Sequence, residues 1–278
     1  MGHGQLIDWT NLEQFAAPAV IPAQWTFVIP AAGRASRLGF DRPKILYPVA
    51  RRTILEWLLD FAAPNCARVV VVLSPGGRAL VEPELERLMP GRCDTVIQEV
   101  PRGMGDAVQA AVPVVRTPRV ALVWGDQVAL RRASVEACLR LHAGPLQPAV
   151  TCPTVVRERP YIHFDRDDAG RISGLRQARE GDLMPDRGES DTGFFCFQTA
   201  HLRELLAASL ANPGEHGRST GELNLLPVIP LAARRGLTVL TPHLMTLEET
   251  VGINSAADAR VVESYLQTLH ASPGHRES

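Results

Sequence analysis

The chain has 278 residues, 45% of them apolar and 21% charged, enough for one large domain or two small ones with a substantial core. Its 29 basic and 30 acidic residues leave a net charge of −1, so no global field draws it to nucleic acid or to an anionic membrane. No apolar run is long enough to span a bilayer, the N-terminus lacks the basic and apolar regions of a signal peptide, and the five cysteines form no CxxC pair; these features predict reduced thiols and a cytoplasmic location.

Apolar, β-branched runs alternate with helical patterns along the first half. Trp25–Pro30 reads as a buried strand that ends in Ala31-Ala32-Gly33. Thr53–Ala62 has helical spacing, and Arg68–Ser74 is a continuous apolar run that suits a strand covered on both faces. Leu80–Met89 reads as a helix, Asp94–Val100 as a strand, Asp106–Val115 as a helix, Arg119–Trp124 as a strand and Ser134–His142 as a helix. This alternation predicts an α/β fold whose parallel sheet carries helices on both faces. After about residue 147 the pattern changes. Ala149–Val156 is strand-like, and Tyr161–Phe164 with Arg171–Arg176 reads as an antiparallel hairpin around an Asp/Gly turn. Thr192–Phe197 is a strand, His201–Leu210 and Leu223–Arg234 are helices, Leu237–Leu240 is a short strand, and Ala256–Leu269 closes with a helix. Residues 1–24 read as an N-terminal extension and 267–278 as a tail.

One count stands out. Of the 29 basic residues, 28 are Arg, and Lys44 is the single Lys. A Lys kept in an Arg-rich chain suits a task that needs a compact, mobile point charge instead of a planar fork. It closes the stretch FVIPAAGRASRLGFDRPK, residues 27–44, in which a strand runs into a small-residue loop. Such a loop lets backbone N–H groups approach an anion closely, and Arg37 adds a bidentate phosphate donor. The plain alternative is an ordinary strand-to-helix turn. Neither the P-loop nor the dinucleotide fingerprint occurs here.

Residues 30–38, PAAGRASRL, with Pro43-Lys44, resemble the nucleotide-binding signature of the sugar-1-phosphate nucleotidyltransferases. The pattern is nearest to the N-acetylglucosamine-1-phosphate uridyltransferase domain. Ala35 stands where that signature has its second glycine, and its methyl group requires a negative φ. The resemblance implies a Rossmann-like fold of the nucleotide-diphospho-sugar transferase type. Its sheet is mixed and mainly parallel, and a smaller antiparallel region binds the acceptor. It covers residues 25–266, divided into a nucleotide-binding half, 25–146, and an acceptor-binding half, 147–266.

The resemblance continues downstream. Gln98 and the run PRGMGDA, residues 101–107, are similar to the family segment in which a glutamine and a glycine read the base. Asp106 stands where His is commoner. The plain alternative is a loop and helix N-terminus with Asp106 in the first turn. Gly103-Met104-Gly105 followed by Asp126 also imitates a dinucleotide fingerprint, except that the third glycine position is Val108. Gly125-Asp126 ends a buried strand, where a ligand crevice lies in open α/β sheets. The family equivalent of Asp126 binds Mg²⁺, and Asn254, in ETVGINSAAD, completes that site. Asn254 or Ser255 alternatively caps the last helix, and Asp126 the turn after its strand.

By the same resemblance, Gln177, Asp191 and Glu222 fall on acceptor-binding positions, with Gln177 replacing the usual Glu and Asp191 the usual Asn. Lys44 and Arg37 are then the catalytic pair. Ala31, Ala32, Gly33, Arg34, Ala35, Ser36, Gln98 and Gly103 bind nucleotide, and Asp126 and Asn254 hold Mg²⁺. The implied activity joins an NTP to a sugar-1-phosphate, or a similar small phosphorylated acceptor, and releases pyrophosphate. A cytidylyltransferase for a non-sugar phosphate or phosphonate, a non-catalytic nucleotide-sugar-binding subunit and an NAD(P)-dependent oxidoreductase are the alternatives. No hexapeptide repeat follows the last predicted helix, which predicts that no β-helix acyltransferase is attached.

Overall fold

The continuous apolar runs occupy the middle of one seven-stranded sheet in the computed structural model, which describes residues 6–33, 35–212 and 216–271. The first half contains β1 (Trp25–Pro30), the small hairpin β2 (Pro48–Val49) and β3 (Arg52–Thr53), α1 (Ile54–Ala62), β4 (Arg68–Leu73), α2 (Arg78–Leu88), β5 (Cys93–Ile97), α3 (Met104–Ala111), β6 (Arg119–Val123) and α4 (Arg132–His142). The second half contains β7 (Val150–Thr151), β8 (Thr154–Glu158), β9 (Ile162–Arg166), β10 (Ile172–Gln177), β11 (Arg187–Asp191), β12 (Phe194–Gln198), α5 (Thr199–Ala211), α6 (Val228–Arg234), β13 (Val239–Leu240) and α7 (Ala256–Ala271).

The sheet order is β13-β7-β12-β6-β1-β4-β5. β1 is parallel to β4 and β6, β4 to β5, and β13 to β7, whereas β12 runs antiparallel to both of its neighbours. The sheet is therefore mixed and mainly parallel. Its side chains alternate between two cores, as the two-residue period of a strand requires. Trp25, Phe27 and Ile29 join the core under α1, α2, α4 and α7, while Val28 joins the one under α3, α5 and α6. Both faces are covered, which is why the central strands read as unbroken apolar runs.

The predicted hairpin is β9–β10. Three features differ from the sequence reading. The strand expected over Ala149–Val156 breaks at Cys152-Pro153, where proline offers no N–H to the ladder. β7 stays in the large sheet, and β8 leaves it to pair with β11. The helix expected from Leu223 begins only at Val228. The Leu223 N–H donates to the Arg102 carbonyl at 2.8 Å and its carbonyl accepts from Gly105 N–H at 2.8 Å, so this backbone is committed outside a helix. Residues 6–24 pack onto the body. Ile7 and Leu12 are buried, and the Ala17 N–H donates to the Arg140 carbonyl at 2.9 Å. At the other end α7 runs on to Ala271, five residues into the expected tail. Among the described residues no helix is long and apolar enough to cross a membrane, and all five cysteines are free.

His142, on α4, carries a pH-dependent load. It is fully buried, its Nδ1 lies 2.9 Å from the Thr151 hydroxyl, and its ring packs 5.6 Å from that of Trp25. Burial, with the nearby Arg119 charge, pushes its pKa down from 6.5 to about 3. The folded chain keeps this imidazole neutral, whereas the unfolded chain protonates it below pH 6.5. Stability is therefore lost as pH falls from about 6.5 towards 3, at up to about 1.4 kcal/mol per pH unit. Urea unfolding between pH 7 and 5 is expected to show a shallower loss for His142→Leu than for the unmodified chain. Equal slopes exclude His142 as a source of the loss.

Candidate active site

The connections from β1 lead first to β4 and β5 on one side of it, and β6 then lies on its other side. The chain direction thus switches between β1 and β6, and open α/β sheets place their ligands beyond the C-terminal ends of such a strand pair. The small-residue loop leaves β1 there, and Trp124-Gly125-Asp126 leaves β6 beside it. A Cβ on Gly125 would lie 2.5 Å from the Pro30 carbonyl oxygen. Only glycine lets the two exits approach this closely.

Lys44, Asp126 and Asn254 meet beyond these strand ends. Lys44 Nζ donates to Asp126 Oδ2 at 2.7 Å and to Asn254 Oδ1 at 2.9 Å. The Lys44 N–H donates to the Gly33 carbonyl at 3.4 Å, which folds the loop back on itself. Asn254 is brought in by a separate set of bonds. The Ile253 N–H donates to the Asp126 carbonyl at 3.1 Å. Ser255 and Asp258 form reciprocal bonds at the start of α7, with Ser255 N–H to Asp258 Oδ2 at 2.7 Å and Asp258 N–H to Ser255 Oγ at 3.2 Å. This is a capping box. Ser255 is therefore the cap, and the Asn254 side chain turns to Lys44. Upstream, the buried Glu249 pairs with Arg131 at 2.9 Å and also accepts its backbone N–H at 2.9 Å, which anchors the segment.

The Asp126–Asn254 pair suits a hard divalent cation. One carboxylate oxygen and one amide oxygen converge on a single positive centre, the Lys44 ammonium. Mg²⁺ uses such partial oxygen sets, keeping water and phosphate oxygens as its other ligands. Among the described residues there is no cluster of three or more His, Cys, Asp or Glu that could hold a metal by itself.

Among the residues expected to bind nucleotide, Ala31 is buried and its N–H donates to the Val72 carbonyl at 2.8 Å. Ala32 is half-buried, Gly33 and Ser36 are exposed, and Arg37 is exposed on the 3-10 turn Ser36–Leu38. Ala35 has φ −91°, so its methyl is accommodated without strain. Arg34 lies outside the described residues. Gln98 follows β5, and its side-chain nitrogen donates to the Gly103 carbonyl at 3.1 Å and to Asp106 Oδ2 at 2.8 Å. The Gly105 N–H is already bound to Leu223, and β5 is an edge strand. Both facts disfavour a dinucleotide loop, which needs free N–H groups beyond a central strand.

The three residues expected to bind the acceptor are more dispersed. Gln177 lines a cleft of about 370 Å³ with Glu180, Asp182, His216, Arg218 and Asn224. Glu222 pairs with Arg179 at 2.6 Å and lies against Gly103. Asp191 accepts the Gly193 N–H at 3.0 Å. Burial pushes its carboxyl above the usual range, against the lowering effects of Gly193 N–H and Arg157. No hydrogen bond or ion pair among the described residues joins these three to the Lys44 cluster. Sequence reasoning missed Glu180, Arg157 and the anchor Glu249. Burial raises the Glu180 pKa, but bonds from the Thr220 hydroxyl, Ser219 N–H, the Asn224 amide and Thr220 N–H outweigh it and hold it at about 2. Arg157 donates to the Thr250 hydroxyl. Each is a charged residue in a polar stretch, where only the tertiary partner reveals a role.

Comparison with known proteins decides the family. Residues 27–217 match the model for the MobA-like NTP transferase domain. The chain belongs to this family. It is 29% identical over 231 residues to the bifunctional protein GlmU of Carboxydothermus hydrogenoformans, covering 82% of this chain and 49% of that protein. It is 32% identical over 241 residues to GlmU of Cupriavidus metallidurans, covering 85% and 50%. This NTP transferase chain thus spans about half the length of the curated relatives it matches. A nucleoside-diphosphate-sugar pyrophosphorylase structure from Vibrio cholerae superposes with TM-score 0.65 at 16% identity, covering 86% of this chain and 99% of that one. A 4-diphosphocytidyl-2C-methyl-D-erythritol synthase from Anaerococcus prevotii gives TM-score 0.60 at 14% identity, covering 89% and 100%. Both share the fold.

Proposed function

We propose that this NTP transferase chain joins an NTP to a small phosphorylated acceptor, in the first instance a sugar-1-phosphate, and releases pyrophosphate with the help of Mg²⁺. The observation that carries the reading is the single Lys ammonium bonded to Asp126 at 2.7 Å and Asn254 at 2.9 Å, beside a small-residue loop at the sheet's switch point. The resemblance of residues 30–38 and Pro43-Lys44 to the sugar-1-phosphate nucleotidyltransferase signature supports a sugar phosphate as acceptor.

The acceptor phosphate is an anion at neutral pH, so no general base is needed to create the nucleophile. The obstacle is electrostatic, and catalysis consists of positioning and charge neutralisation. Lys44 has three N–H groups. Two hold Asp126 and Asn254, which leaves one for phosphate oxygens. Lys44 serves the α-phosphate and the incoming phosphate, while Arg37 and the Gly33–Ser36 backbone hold the departing pyrophosphate. Gln98 and Gly103 face the base, and Gln177, Asp191 and Glu222 face the acceptor. Asp126 and Asn254 would hold the divalent ion, whose chemistry is to neutralise charge between the two phosphates. The free, mostly buried cysteines accord with a cytoplasmic enzyme.

The test is a panel of four NTPs crossed with sugar-1-phosphates and a polyol phosphate, read by pyrophosphate release. One NTP with one sugar-1-phosphate is expected to give rapid release. Turnover confined to the polyol phosphate moves the acceptor out of the sugar class. No release with any pair removes the reading.

A further inference from the structure

The side-chain amide of Gln98 has only one orientation consistent with its partners. Gln98 is 7% exposed, and its backbone N–H is fixed to the Leu73 carbonyl at 2.8 Å. Its side-chain nitrogen lies 3.1 Å from the Gly103 carbonyl and 2.8 Å from Asp106 Oδ2. Both partners are acceptors, and a primary amide nitrogen has two N–H groups. The nitrogen must therefore face the protein with both donors used, leaving Oε1, a pure acceptor, for a ligand.

Both anchoring acceptors are fixed in turn. Gly103 has φ +109°, and a Cβ there would lie 2.5 Å from the Leu223 carbonyl oxygen. Leu223 also bonds Arg102 and Gly105 on either side, so the Gly103 carbonyl cannot swing away. Asp106 stands in the first turn of α3. The Gly103 carbonyl alone permits one free N–H to turn outward. The Asp106 carboxylate removes that option.

We propose that Asp106 is a positioning residue that locks Gln98 as an acceptor-only reader of the nucleobase edge. The inference rests on the nucleotide-binding reading above and adds the polarity of the contact. Uracil and guanine carry a ring N–H with a carbonyl beside it. Cytosine and adenine carry a ring lone pair with an amino group beside it. At any one point on this edge the two classes have opposite polarity. A reader fixed as an acceptor therefore separates keto from amino bases of the same ring size, UTP from CTP and GTP from ATP.

The experiment measures kcat/KM and calorimetric affinity for all four NTPs in the unmodified chain, Asp106→Ala and Asp106→Asn. The unmodified chain is expected to separate keto from amino nucleotides by at least about tenfold, the scale of one hydrogen bond made or missed. Asp106→Ala is expected to reduce that ratio severalfold. Asp106→Asn, which still offers an oxygen to the Gln98 amide, restores most of it. Asp106→Ser, whose side chain is too short to meet that amide, replaces the alanine variant should it not fold. A purely structural role would weaken all four nucleotides alike and leave the ratio untouched, and that result overturns the assignment. So does an unmodified chain with no keto–amino preference. If nucleotides bind and only the ratio fails to move, Asp106 loses its role and the nucleotidyl-transfer reading stands. If no NTP binds the unmodified chain, both fall.

Discussion

Lys44→Ala is expected to lower nucleotidyl transfer by at least 10²–10³-fold, about 3–4 kcal/mol of transition-state stabilisation, while the chain stays folded. The size follows from where the ammonium sits. It is held at 2.7 Å and 2.9 Å by two oxygens from segments far apart in sequence, so its charge is already in place when two phosphate anions must meet. A charge oriented in advance costs no reorganisation during reaction, which is why its loss falls mainly on kcat. The fold is expected to survive because the Lys44–Asp126 pair is partly solvated, its side chains 16% and 20% exposed, and such pairs contribute modestly to stability. Lys44→Arg is not expected to restore activity, since a planar fork cannot take the place of a point charge between these two oxygens. A second readout needs no turnover. The ammonium occupies the meeting point of the two oxygens proposed as metal ligands, so its removal should tighten Mn²⁺ binding to the nucleotide-free protein, measured by calorimetry. Near-normal kinetics in Lys44→Ala exclude Lys44 from the mechanism, and unchanged Mn²⁺ affinity excludes competition between ammonium and metal.

What could be read in advance depended on how local each signal was. β1, β4 and β6 were legible because strands buried on both faces must be continuously apolar. Lys44 was legible through composition, a Lys surviving among 28 Arg. Asp126 and Asn254 were legible only as short motifs, each with a capping role as a rival. The structure separates the roles for Asn254 by giving the cap to Ser255. Features set by partners far along the chain were not legible. β11, with sequence RGESD, shows no apolar alternation and becomes a strand through pairing with β8. The early start expected for α6 failed because Leu223 is claimed by Arg102 and Gly105, more than a hundred residues upstream. Gln98 and Asp106 were each visible as residues, but the bond between them depends on how the Gly103 loop folds.

Asp126→Asn separates the metal's share from the ammonium's. Asparagine keeps the size and one oxygen of the side chain, so Lys44 retains an acceptor there and keeps its 2.9 Å bond to Asn254. What is lost is the only carboxylate, among the described residues, bonded to the Lys44 ammonium. Two neutral amide oxygens hold Mg²⁺ far less well than a carboxylate does. Pyrophosphate release is therefore expected to fall by about 10²–10³-fold, and the residual rate should lose its response to Mg²⁺ concentration and to chelator. The coupling with Lys44 is also predictable. If the two residues act as one unit on the same pair of phosphates, Lys44→Ala combined with Asp126→Asn should cost much less than the product of the single losses. Fully multiplicative losses would mean that the two groups serve separate steps despite their 2.7 Å contact. A single Asp126→Asn variant that keeps both its rate and its Mg²⁺ dependence would move the metal away from β6 altogether.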